Sequence, residues 1–340
     1  MNAAVPQRVP VPQLLADPRW FLAGLDGPGG VFNFLYADHA TLAREAFLDR
    51  RWAIDRLLRC DVAIGELLSS APLSLPRTKV NFLWHTGFCC STLIARLLDM
   101  PGRNLSLSEP MVFTTLADIS RAGAFPDRGT LMRFCQVILH LLGRPHEPGA
   151  SVTIKPAPVS SCLLGEAAAL TSGKMLLLHS DCRSFVVSAM SKGEDGKGYV
   201  RRMLEALTID GLRPDGRDDL SDLEAAALVW RMQVASFGRH KLGASLDCDA
   251  FLAAPHEAMA KIDAFYGLGL GAARIAKVLD GPLFRHNAKD ASQSFDAARR
   301  REEHDTMSRE LGPALDDAVA WSAQFFPDAA FPNPLLETSA

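Results

Sequence analysis

The residues best suited to chemistry lie between Lys79 and Asp99. A short apolar run, Val80 to Trp84, gives way to Thr86, Gly87, Ser91 and Thr92, then to Leu93, Ile94, Leu97 and Leu98 at helical spacing. A strand that turns sharply into a helix through small and hydroxylated residues aims several backbone N–H groups at one spot. The helix N-terminus adds partial positive charge there, so the turn forms an anion cradle. Ser91 or Thr92 either caps the helix or donates a hydroxyl to a phosphate. The G-x-x-x-x-G-K-[ST] pattern of a Walker A loop is absent, and no lysine precedes Ser91. Taken alone, the stretch is explained equally well by a strand–helix joint without a ligand.

Three further candidates stand where short strand candidates end. Glu109-Pro110 follows Asn104 to Ser108, Lys155-Pro156 follows Ser151 to Ile154, and His179 to Ser188 closes the run Lys174 to His179. Ligands of parallel sheets sit outside the C-terminal strand ends, and four polar strand ends strengthen the anion-site reading. Plainer roles stand beside each: a solvated loop lysine for Lys155, and helix capping or mutual pairing for Asp181 and Arg183. Cys89-Cys90 lacks the second pair of a zinc site and reads as small packing residues. Gly267 to Ala272 resembles a dinucleotide fingerprint but follows a helix instead of a strand. Neither G-x-S-x-G nor H-E-x-x-H occurs, so hydrolase chemistry has no anchor.

Strand and helix patterns alternate at the spacing of βαβ units, with a last strand expected at Ala244 to Cys248. This predicts an α/β fold, a three-layer sandwich with a mostly parallel central sheet and helical annexes. Residues 1–40, rich in proline, glycine and aromatics, read as an irregular arm, and Leu42, Phe47, Ile54, Leu57, Leu58, Ile64 and Leu67 as one helix from about Ala40 to Leu68. The expected organisation is an N-terminal arm and helix over 1–78, packed on an α/β domain over 79–330. Gly193 to Gly198 reads as a flexible gap, and Asp222 to Phe237, Pro255 to Tyr266 and Asp305 to Phe325 as helices.

The bulk numbers narrow the class. With 36 basic and 39 acidic residues the net charge is -3, which gives no support for nucleic acid or a membrane surface as partner. No segment reaches 18 consecutive apolar residues, and the proline-broken N-terminus has no apolar run of signal length. Seven cysteines without paired spacing indicate free thiols in a reducing compartment, so a soluble, cytoplasmic protein is expected.

In order, the motifs resemble those of the sulfotransferase family over residues 79 to about 325. They are His85-Thr86-Gly87-Phe88-Cys89-Cys90-Ser91-Thr92-Leu93, Ser108-Glu109-Pro110, Ile154-Lys155-Pro156, Ser180-Asp181-Cys182-Arg183 with Ser188, Leu228-Val229-Trp230, Leu246 to Gly267, and His286-Asn287-Ala288-Lys289-Asp290. The resemblance implies a P-loop NTPase-like fold and transfer of a sulfuryl group from 3′-phosphoadenosine 5′-phosphosulfate to a hydroxyl or amine of a small-molecule acceptor, without a metal. It implies that Thr86, Gly87, Phe88, Cys89, Cys90, Ser91 and Thr92 hold the 5′-phosphosulfate, that Arg183 and Ser188 hold the 3′-phosphate, and that His286 and Lys289 belong to a loop folding over the nucleotide. Glu109 is the candidate general base and His85 its rival; Lys155, His85 or Lys289 would supply positive charge. The chain departs from the family at Phe88, where an Arg or Lys is usual, at Cys90, usually Gly, and at Ser180, usually Arg. Such transfers rest on positioning and charge stabilisation, so a missing cation weakens the catalytic reading. A kinase-like or other nucleotide-binding transferase, and a non-catalytic descendant that binds a nucleotide or partner, are the alternatives.

Overall fold

The computed structural model describes residues 7–216, 218–240, 243–287, 290–294, 297–327, 331 and 333–336. After a short helix, Val11–Ala16, come β1 (Trp20–Asp26), β2 (Val31–Tyr36) and β3 (Arg59–Ala63), which form an antiparallel sheet in that order. The β1–β2 turn is closed by Asp26, whose carboxylate accepts from Gly29 N at 2.9 Å. The sequence led instead to an irregular arm and a helix over 40–68. Helix is confined to His39–Arg44 and Ile64–Ser70. The reason lies in local periods: Phe32 with Phe34 and Cys60 with Val62 recur at two-residue steps, and all four are buried. Between the helices Asp49 accepts from Arg51 N at 2.9 Å, a side-chain turn that competes with helical bonding.

β4 (Val80–His85), β5 (Asn104–Ser108), β6 (Ser151–Lys155), β7 (Met175–His179) and β8 (Ala244–Asp247) form a five-stranded parallel sheet in the order β5-β6-β4-β7-β8. Every residue of β4 and β5 is buried, so both faces of these strands are covered, although β5 alternates Leu105 and Leu107 with Asn104, Ser106 and Ser108. Beyond β8, Ser245 N donates to Asn333 O at 3.1 Å and Leu335 N donates to Ser245 O at 2.8 Å. Two short strands, β9 (His286–Asn287) and β10 (Asp290–Ser294), pair antiparallel. Among the described residues no helix is long and apolar enough to cross a membrane.

The chain forms two compact units. The first comprises the described residues to Leu83, Ile94–Lys174 and Ala264–Leu270. In it the half-buried guanidinium of Arg144 donates to the carbonyls of Leu14, Leu15, Asp17 and Trp20, fastening the N-terminal helix. The second comprises Trp84–Leu93, Met175–Asp263 and the described residues from Gly271 on. Its central helix, Asp222–Gly238, starts at a capping box of Ser221 and Glu224 and is buried all round from Ala225 to Trp230. The stretch Gly193 to Gly198, expected as a gap, is the first part of the helix Gly193–Ile209. Glu194 and Asp195 favour its N-terminus electrostatically. Gly196 is required by packing: a Cβ there would collide with the carbonyl oxygen of Ala189 on the helix Cys182–Met190.

Candidate functional site

At the C-terminal end of β4 the backbone turns left-handed at Gly87 (φ 87°), Phe88 (φ 53°) and Cys90 (φ 59°), and the helix Ser91–Leu98 begins at once. Phe88 and Cys90 alternate with Cys89 and Ser91, which are not left-handed. Left-handed residues in alternation directly before a helix N-terminus are the backbone pattern from which anion nests are built. Left-handed backbone at a non-glycine residue costs about 1–2 kcal/mol, so the conformation is held against local preference. Thr86 N donates to Leu178 O at 3.2 Å, and the Cys89 thiol donates weakly to the same carbonyl at 3.5 Å. Thr86, Cys89, Ser91 and Thr92 are buried, Cys90 half-buried. His85 is buried too, and its Nδ1 accepts from Gly87 N at 3.2 Å. That bond leaves the proton on Nε2, a donor position, which counts against His85 as the base.

Where a cation was sought, the ring of Phe88 packs edge-on against Phe185 (5.5 Å) and Tyr199 (5.0 Å). Tyr199 also donates its hydroxyl to Thr86 O at 3.1 Å. Sequence reasoning missed Tyr199 because it followed the supposed gap. Its signal was helical spacing, since the buried Val200, Met203 and Leu207 come one, four and eight residues later.

Arg183 and Ser188 both lie on the helix Cys182–Met190, but five residues apart they stand about 140° round its axis and share no face. Arg183 donates to Ser308 Oγ at 2.8 Å and pairs with Asp316, both on the helix Ala297–Ala323. It does not pair with Asp181, which instead caps its own helix, accepting from Ser184 N at 2.8 Å. Ser180 is buried, and its carbonyl accepts from Trp230 Nε1 at 2.9 Å. His286 opens β9; Lys289 lies outside the described residues.

Glu109 and Lys155 meet in the first unit. Lys155 Nζ donates to Glu109 Oε1 at 2.6 Å, and Glu109 N donates to Lys155 O at 2.6 Å. Lys155 is fully buried, not a solvated loop residue. Arg51, paired with Asp49, lies 3.4 Å from Glu109 Oε2 and stacks its guanidinium 3.5 Å from the ring centre of Phe47. Glu109 itself is left-handed (φ 52°). Both of its carboxylate oxygens face cations, Lys155 at Oε1 and Arg51 at Oε2, so it orients positive groups.

Elsewhere in the second unit, His179 at the end of β7 stacks on Phe331 with centroids 3.5 Å apart, and burial pushes its pKa down to about 4. A cavity of about 610 Å³ beside β8 is lined by Asp247, Asp249, Glu257, Lys261, Pro334 and Leu335, among others. Asp247 there caps the helix Cys248–Ala253 and Glu257 pairs with Lys261 at 3.1 Å. None of the candidate catalytic or nucleotide-binding residues lines that cavity, which falls largely on the segment Leu246 to Gly267. Among the described residues no three His, Cys, Asp or Glu side chains are grouped as metal ligands. Comparison with known protein families and with curated proteins gives no match for the chain.

Proposed function

We propose that the chain is a P-loop-like, nucleotide-binding sulfotransferase that moves a sulfuryl group from 3′-phosphoadenosine 5′-phosphosulfate to a hydroxyl or amine. The observation that carries this reading is the nest at the end of β4, with two non-glycine residues held left-handed directly before a helix. In it Thr86 to Thr92 receive the 5′-phosphosulfate, Thr92 through its hydroxyl. Arg183 takes the 3′-phosphate on leaving Asp316, and Ser188 contributes only if the helix turns. By the resemblance Lys155 is the candidate positive charge and Glu109 the candidate base, and the two pair with each other in the first unit. All seven cysteines are free thiols, which supports a reducing, cytoplasmic setting.

A second reading, a nucleotide-binding descendant without transfer chemistry, is favoured by Phe88, whose aromatic packing occupies the place of the usual cation. A thermal-shift panel separates the readings. At about 100 times its dissociation constant, adenosine 3′,5′-bisphosphate should stabilise the protein by roughly 2.7 kcal/mol, with little effect from 5′-AMP. Equal shifts from the two would remove the 3′-phosphate site and the proposed donor with it. A preference for magnesium-bound ATP would point to a kinase-like transferase instead.

A further inference from the structure

The loop after β4 holds a conformation that its own residues disfavour, and a contact from outside the loop keeps it there. Tyr199, on the helix Gly193–Ile209, donates its hydroxyl to Thr86 O at 3.1 Å, while its ring packs on Phe88 at 5.0 Å. Between those two residues Gly87 has φ 87°, and a Cβ there would stand 2.5 Å from the Tyr199 oxygen. One side chain therefore touches three consecutive loop residues. Phe185, from the helix Cys182–Met190, closes the cluster at 5.5 Å from Phe88.

We propose that Tyr199 is the positioning residue of the anion loop, holding it in its left-handed form before any ligand arrives; for nucleotide binding this rests on the function proposed above. The physical ground is preorganisation. A loop already held in its binding conformation spares the ligand the ordering cost, so loss of the holding contact appears as weaker binding. The same loss lets the loop open more often, and local opening exposes thiols that the closed form protects.

Cys90 stands in the loop and Cys162 in the first unit, both half-buried, so the second serves as an internal reference. The full-length chain and Tyr199→Phe are labelled with N-ethylmaleimide, the rates at the two cysteines are read by peptide mass spectrometry, and both proteins are titrated with adenosine 3′,5′-bisphosphate. Losing one hydrogen bond should raise the Cys90 rate about three- to tenfold relative to Cys162 and weaken the bisphosphate by a similar factor, with the unfolding midpoint nearly unchanged. A Cys90 rate within about twofold of the parent overturns the inference, even if the midpoint falls, because that pattern belongs to a merely structural tyrosine. If Tyr199→Phe frees Cys90 while the parent binds no bisphosphate, the proposed function falls and the positioning role stands. Should Tyr199→Phe not fold, Phe185→Leu loosens the ring cluster around Phe88 and Tyr199 without touching the loop backbone, and the same rate decides.

Discussion

Glu109 and Lys155 show how far residue types alone reach. Their positions at strand ends were legible from the runs before them, because a parallel strand's polar exit is a one-dimensional signal. Their partnership was not, since the contact joins residues 46 apart and Arg51 joins from another 58 away. The structure makes a sharp prediction. Glu109→Gln leaves Lys155 fully buried without its carboxylate, which should cost about 3–5 kcal/mol, whereas Lys155→Met should cost less and the double variant should recover most of the loss. Additive effects in urea unfolding would mean that the pair is not coupled. Turnover of the single Gln variant is informative only once this fold effect is known. Thr92→Ala is the cleaner probe of the nest: it should weaken bisphosphate binding by about 0.5–1.5 kcal/mol. A loss of about 1 kcal/mol in stability with unchanged affinity would make the hydroxyl a helix cap instead.

At the scale of elements, β4 and β7 were readable because strands buried on both faces tend to be near-continuous apolar runs, while β5 and β6 mix Leu, Val and Ile with Ser, Thr and Asn. β5 coincides with its expected range, and β6 and β7 differ from theirs by one residue. The N-terminal sheet was hidden because prolines and glycines around its strands resembled an irregular arm, and Leu42 to Leu67 happened to fall at helix-like steps. The helix Gly193–Ile209 was missed at its start because three glycines in six residues usually signal a loop. Gly196 explains the exception: its missing side chain lets two helices touch. Gly196→Ala should therefore force those helices apart at a cost of about 1–3 kcal/mol, and by shifting Tyr199 should also speed labelling of Cys90. Stabilisation by this substitution, as expected for alanine in an unconstrained helix, would contradict the packing argument.

For the molecule as a whole, two histidines, His39 buried and His179 half-buried, set opposite responses to pH. His39 lies between Asp99 (3.2 Å) and Glu147 (3.3 Å), with the His146 ring 6.3 Å away, and the Asp99 hydrogen bond holds its pKa above the usual value against the effect of burial. Its contribution is fully present below about pH 6.5 and is lost as pH rises through the raised value. His39→Gln should accordingly lose about 2 kcal/mol at pH 6 and much less at pH 9. His179 works the other way: with a folded pKa of about 4, the unfolded chain binds the extra proton first as pH falls below 6.5, which costs roughly 3 kcal/mol by pH 4. His179→Phe, which keeps a ring against Phe331, should be the more acid-tolerant protein. Denaturation midpoints at pH 5, 7 and 9 for the three proteins check both signs, and parallel curves would refute them.

The pairing of Ser245 with Asn333 and Leu335 has a bearing on how copies of the protein treat one another in concentrated solution. An outermost strand otherwise offers its N–H and C=O groups as a template on which a second chain can grow. Here the protein's own tail takes the Ser245 positions and denies them to a neighbour. Leu335→Pro deletes the N–H that Ser245 O accepts, and should produce concentration-dependent light scattering with little change in helical circular dichroism. If that variant stays as monodisperse as the parent, the tail is not what keeps β8 from recruiting strangers.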